Sequence, residues 1–107
     1  MNLTDIKNKA LIELCDLHRV KEIYLFGSIL TDKFNYKSDI DMLVQFYPME
    51  VSEYLDNYMD LKKKLEELFQ RQIDLIENQA IKNPVFRKVI DREKKLIYER
   101  KDTEILV

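Results

Sequence analysis

The chain has 107 residues and uses glycine once, at Gly27, directly after the apolar run Ile23-Tyr24-Leu25-Phe26 and directly before Ser28. Glycine is required only where φ is positive or where the backbone must come close to another group. A single copy in that place therefore marks a turn that other residues would make badly. Ten residues after Ser28 comes Ser38-Asp39-Ile40-Asp41, inside a second apolar segment that ends at Tyr47-Pro48. The two segments and the turn predict strand, loop, strand, with polar and acidic side chains gathered where the strands meet the loop.

The remaining periodicities build a frame around that unit. Leu3, Ile6, Ala10, Leu11, Leu14 and Leu17 recur at three- and four-residue spacing and predict one amphipathic helix over the first eighteen or so residues. Residues 22–26 read as a buried strand, 28–38 as a loop with one helical turn, and 39–46 as a second strand. In that second strand Ile40, Met42 and Val44 share one face, and Asp39, Asp41 and Leu43 share the other. Over residues 51–69 the set Val51, Tyr54, Leu55, Tyr58, Leu61, Leu65, Leu68 and Phe69 keeps a helical period. Tyr54 and Tyr58 fall on its apolar stripe as core or interface residues. Residues 72–76 form a third strand with Asp74 opposite to Ile73 and Leu75. Asn83-Pro84 opens a helix presenting Val85, Val89 and Ile90, and 95–98 is a fourth strand. The fold class is α+β, a small mixed sheet of three to four strands with helices packed on it. One domain spans 1–98, and 99–107 is a frayed tail ending in Ile105-Leu106-Val107.

Composition narrows the functions open to such a domain. With 18 Lys and Arg against 20 Asp and Glu, the net charge of −2 argues against general nucleic-acid binding, which needs a basic face. Arg87, Lys88, Arg92, Lys94, Lys95, Arg100 and Lys101 are interleaved with Asp91, Glu93, Glu99 and Asp102, the pattern of a solvated mixed face. The lone Cys15 excludes an internal disulfide and fits a small packing residue in a reducing compartment. With neither a signal peptide nor a membrane-length apolar run, the expected setting is the cytoplasm. His18, the only histidine, falls at the expected end of the first helix and reads as a helix-end or surface residue rather than a base.

Two carboxylates at i and i+2 on a strand point the same way, with Cβ atoms about 7 Å apart. A buried strand carries such a pair only where that face meets water or a cation, because an unpaired buried carboxylate is costly. Mg²⁺ suits Asp39 and Asp41, since it takes carboxylate oxygens and leaves positions for phosphate. Gly27 and Ser28 supply the complementary half, converging backbone N–H groups and a hydroxyl donor for an anion. Asp74 could add a third acid, to take a proton or hold a second metal.

Gly27-Ser28, ten residues, Asp39-x-Asp41, a helix and then Gln72-Ile73-Asp74-Leu75-Ile76 together resemble the minimal nucleotidyltransferases of the DNA polymerase β superfamily. The resemblance implies a Mg²⁺-dependent enzyme with two metal ions and ATP as substrate. Gly27 and Ser28 would hold the triphosphate, and Asp39, Asp41 and Asp74 would be the catalytic metal carboxylates. Where family members often carry basic residues and a glycine after Gly-Ser, this chain has Ile29, Leu30, Thr31 and Asp32, with Lys33 and Lys37 as substitute cations. Small members of the family commonly act as antitoxins beside a HEPN-class toxin, which implies transfer of AMP to a tyrosine of such a partner. A binding module that neutralises its partner by contact is the alternative, and a transferase acting on a small molecule or RNA end is a lesser one. Tyr36 is read as a loop aromatic, and exposed tyrosines on the long helix would favour a homodimer.

Overall fold

Asn8 divides the first helical pattern in two. In the computed structural model, which describes residues 3–100, the opening segment forms α1 (Leu3–Ile6) and α2 (Lys9–Leu17). The Asn8 side-chain oxygen accepts from the Leu11 N–H at 2.9 Å, and its amide donates to the Asp5 carbonyl at 2.9 Å. Asn8 itself is extended, with φ −135° and ψ 172°. One asparagine thus caps the second helix while binding the chain just behind it, and the single helix expected from spacing becomes two.

The rest of the chain runs β1 (Val20–Phe26), a three-ten turn (Gly27–Leu30), β2 (Ile40–Phe46), α3 (Val51–Phe69), β3 (Ile73–Glu77), a second three-ten turn (Asn78–Ala80), α4 (Pro84–Glu93) and β4 (Lys95–Glu99). The four strands form one mixed sheet in the order β3-β2-β1-β4. β1 pairs antiparallel with β2 and β4, whereas β2 and β3, joined through α3, are parallel. A parallel pair needs a long crossover, and α3 is that crossover.

Strand alternation sorts the core into two layers. Ile23 and Leu25, Ile40, Met42 and Val44, Ile73 and Leu75 pack with Leu11 and Cys15 of α2 and with Leu61, Leu65 and Phe69 of α3. The opposite face carries Phe26 and Leu43 against Ile90 of α4, with Tyr24, Ile76 and Ile81 at the margin. Burial pushes the Cys15 thiol up to about 12, so it is a packing residue and not a thiolate.

Side chains of α3 also cover the outer edge of β3. Glu66 Oε2 accepts from the Ile73 N–H at 3.1 Å, and the Tyr58 hydroxyl donates to the Leu75 carbonyl. The Tyr54 hydroxyl bonds the Glu77 carboxylate in the same row. Both tyrosines are therefore half-buried and engaged with β3. His18, at the C-cap of α2, is buried and ties the helices together, Nδ1 meeting the Leu14 carbonyl at 2.7 Å and Nε2 meeting Asp60 Oδ2 at 2.7 Å.

The ends of the chain differ in part from expectation. Glu99 closes β4 opposite Glu22, and the Arg100 N–H donates to the Lys21 carbonyl at 3.0 Å. The remainder of the expected tail, 101–107, lies outside the described residues. The charges on α4 behave as a mixed face, with Asp91 pairing Arg87 at 2.9 Å and Lys94 at 3.0 Å. Among the described residues no helix is long and apolar enough to cross a membrane.

Replacing Asn8 by Ala removes the cap and both of its bonds. Urea denaturation should show a loss of about 1 kcal/mol, against a few tenths for Asn8→Gly.

Candidate active site

Strand direction brings the polar residues to one end of the sheet. β1 ends where the antiparallel β2 begins, so Phe26 stands opposite Asp41. The parallel β3 begins there too, and its Asp74 is the register neighbour of Asp41. Adjacent strands lie about 4.8 Å apart. Asp41 and Asp74 share the face that α4 covers only in part, the face of Leu43 and Ile76, and register alone sets their carboxyl groups side by side.

Gly27 follows at φ +79° and starts the three-ten turn. A Cβ built there would overlap Asp41 Oδ2 and stand 3.2 Å from Asp41 Cγ. Arg19 and Gln70 also have positive φ, 58° and 54°, yet both carry full side chains. Backbone angle by itself does not force glycine on this chain. The Asp41 carboxylate lying against the backbone does. The turn is closed by Thr31, whose N–H and hydroxyl both donate to the Ser28 carbonyl, at 2.9 and 2.8 Å. The opening N–H groups of such a turn have no acceptor within it.

Burial, first, and then the charges of Asp74 and Asp39 push the half-buried Asp41 carboxyl above its ordinary range, and the Asp74 carboxylate, as an acceptor for a protonated Asp41, acts the same way. Among the described residues no three His, Cys, Asp or Glu side chains already form a group that could hold a metal ion. Asp41 and Asp74 are register neighbours, and Asp39, which adds its charge to theirs, lies exposed. The donor set still fits Mg²⁺. It is all carboxylate oxygen, partly open to water, and crowded with like charge that a divalent cation would neutralise.

Asp39 itself is not in the strand expected to hold it. β2 starts at Ile40, which pairs with Ile73, and the Ile40 N–H donates to the Gln72 carbonyl at 3.1 Å. The preceding loop is fixed by Arg71, a residue the sequence reading passed over. Its Nη1 donates to the Asn35 carbonyl at 2.9 Å and to the Ser38 carbonyl at 2.8 Å, and its guanidinium lies 4.4 Å over the Phe34 ring. The signal was a basic residue at the helix-to-strand junction just before Asp74, which periodicity treats as a solvated position.

A cleft of about 260 Å³ borders the acids, lined by Asp39, Lys62, Glu66, Gln72, Ile73 and Asp74. The Ile73 N–H, first, and the Lys62 ammonium at 3.2 Å hold the Glu66 carboxyl below its ordinary range, so Glu66 stays charged beside the site. Lys33 and Lys37, the expected substitute cations, are exposed, and the Lys37 ammonium sits 5.7 Å from the centre of the Tyr36 ring. A groove of about 510 Å³ lies elsewhere, between His18, Arg19 and α3 residues such as Asp56 and Asp60. None of Gly27, Ser28, Asp39, Asp41 or Asp74 lines it.

Comparison with known proteins bears on this geometry. A family model described as a nucleotidyltransferase domain matches residues 7–98. A protein of Methanocaldococcus jannaschii named "Putative protein adenylyltransferase" is 40% identical over 96 residues, covering 90% of this chain and 93% of its own. Among solved structures, one described as a "putative minimal nucleotidyltransferase" superposes with a TM-score of 0.69 at 28% identity, covering 88% of this chain and 94% of that one. Another, a tri-AMPylated Shewanella oneidensis HEPN toxin in complex with an MNT antitoxin, contains a chain that superposes with a TM-score of 0.61 over 98% of this chain and 79% of that one. At 19% identity this last likeness is one of fold.

Two stability measurements test the geometry directly. Gly27→Ala must displace the Asp41 carboxyl and adopt positive φ, and should lose more than about 1 kcal/mol in urea denaturation. Asp41→Asn should do the opposite. A carboxyl whose folded pKa is raised favours folding below its unfolded value, about 3.9, and loses that contribution as pH rises through the folded value. At pH 7 without metal, calorimetry should therefore find Asp41→Asn more stable than the parent, with the gap closing as pH falls toward 4.

Proposed function

The chain belongs to the nucleotidyltransferase domain family, and on that premise we propose that it is a Mg²⁺-dependent enzyme of the cytoplasm that transfers AMP from ATP to a tyrosine hydroxyl of a HEPN-class partner, silencing it as an antitoxin. The observation that carries the reading is the convergence of Gly27, Asp41 and Asp74 on one point, with the Asp41 carboxylate against the Gly27 backbone. The name of the 40%-identical relative supports a protein as acceptor. The solved toxin complex, whose toxin is described as tri-AMPylated, supports AMP as the transferred group and a HEPN protein as its recipient.

In this mechanism the Gly27–Ser28 turn and the Ser28 hydroxyl donate hydrogen bonds to the triphosphate, orienting the α-phosphorus toward the acids. Asp39, Asp41 and Asp74 would hold the metal. Bound Mg²⁺ would supply charge neutralisation on the leaving pyrophosphate and a lowered pKa at the attacking hydroxyl. The acceptor oxygen forms its bond to the α-phosphorus as the bond to pyrophosphate breaks in line, and Asp74, exposed at the sheet edge, receives the hydroxyl proton. Val51, Leu55 and Met59, exposed at four-residue spacing on α3, offer a protein partner or a second copy an apolar stripe.

Contact-only neutralisation is the second reading, favoured by Ile29, Leu30, Thr31 and Asp32 where relatives of this family often carry basic residues. One experiment separates the two. Purified protein, Mg²⁺ and ATP labelled on the α-phosphate are incubated in host lysate beside the Asp39→Asn/Asp41→Asn double variant. Label should appear on one protein band and fall at least about a hundredfold with the variant, the scale of losing a strong transition-state contact. Label on RNA or a small molecule would redirect the acceptor, and the absence of Mg²⁺-dependent label would leave contact alone.

A further inference from the structure

Asp39 has the weakest backbone support of the three acids. Asp41 and Asp74 sit inside paired strands, whereas ladder pairing in β2 starts one residue after Asp39, at Ile40. The loop before it is internally tied. The Ser38 N–H donates to the Asn35 carbonyl at 3.0 Å, the Asn35 N–H donates to Ser38 Oγ at 3.1 Å, and the Lys37 N–H donates to Asn35 Oδ1 at 2.9 Å. Those bonds shape the 35–38 turn but do not attach it to the sheet. The attachment comes from Arg71, whose one nitrogen donates to the carbonyls at both ends of the turn, Asn35 at 2.9 Å and Ser38 at 2.8 Å, while the guanidinium plane lies on Phe34. The Ser38 carbonyl belongs to the peptide unit that leads into Asp39, so fixing that oxygen fixes the plane from which the Asp39 side chain departs.

The geometry points to Arg71 as the positioning residue for Asp39: it holds the 35–38 turn against the start of β3 and so aims the Asp39 carboxylate at the metal it would share with Asp41 and Asp74. Arg71 touches neither nucleotide nor metal in this role. It acts through the backbone: the two N–H groups of Nη1 serve the two carbonyls while the planar guanidinium lies on the Phe34 ring. The inference rests on the metal half of the proposed function and is independent of the acceptor.

The test is Mn²⁺ binding to the full chain, read by the loss of the free-ion paramagnetic resonance signal. The parent is compared with Arg71→Gln, Arg71→Lys, Asp39→Asn and the Arg71→Gln/Asp39→Asn pair, all checked for folding by circular dichroism. Loss of a residue that orients a metal ligand typically costs ten- to a hundredfold in affinity. Arg71→Gln should weaken Mn²⁺ binding about tenfold, Arg71→Lys should fall between it and the parent, and Arg71→Gln should have no further effect in the Asp39→Asn background. Unchanged affinity in folded Arg71→Gln, or an undiminished effect of it once Asp39 is gone, would overturn the inference. So would a parent that holds Mn²⁺ without using Asp39, and a parent that holds no Mn²⁺ at all would also remove the metal from the proposed function. Failure of AMP transfer with the binding pattern intact would count against that function alone and leave Arg71's role standing.

Discussion

Like charges placed at one end of a small sheet repel, and the register of the sheet holds them there regardless. Asp41 and Asp74 are neighbours since Ile40 pairs with Ile73 and Met42 with Leu75, and those apolar residues face the main core. Sliding β3 by one position to separate the acids would turn Ile73 and Leu75 out of that core. Burial of α3 through Leu61, Leu65 and Phe69 anchors the same register from behind. Stability gained on one face of the sheet thus offsets the electrostatic cost carried on the other, which is the usual relation between a scaffold and a site built from repelling groups.

Gly27 shows how tightly that arrangement is drawn. Two other positions in the chain accept positive φ with ordinary side chains, so the conformational argument for glycine is incomplete by itself. The contact with Asp41 completes it, and it also explains why the turn follows Phe26 directly, because Phe26 is the residue opposite Asp41 in the ladder. A side chain at this position would displace the carboxylate from where it lies.

Much of this was legible in the sequence. The four strands, the long helix and the last helix follow from apolar period, and Gly27, Ser28, Asp39, Asp41 and Asp74 become candidates through their combined pattern and the family resemblance. What was not legible has particular causes. Asn8 looks like one more polar position on a helix, and only its two hydrogen bonds reveal a break. Asp39 shares the alternation of the strand without belonging to it, because ladder pairing depends on a partner strand that alternation cannot see. Arg71 acts across 33 and 36 residues of sequence on backbone carbonyls, a relation that carries no local pattern. His18 is legible as a helix end, but its burial depends on Asp60, 42 residues away.

The covering of the β3 edge limits how another protein can approach. An exposed edge strand normally invites a peptide to lie alongside it and extend the sheet. Here the outward N–H of Ile73 and the outward carbonyl of Leu75 are already taken by Glu66 and Tyr58, so strand addition next to Asp74 would have to evict both. A protein that presents a hydroxyl to the acids would therefore come over the open tips or the uncovered face of the strands, and be recognised by a protruding side chain rather than by backbone pairing along β3.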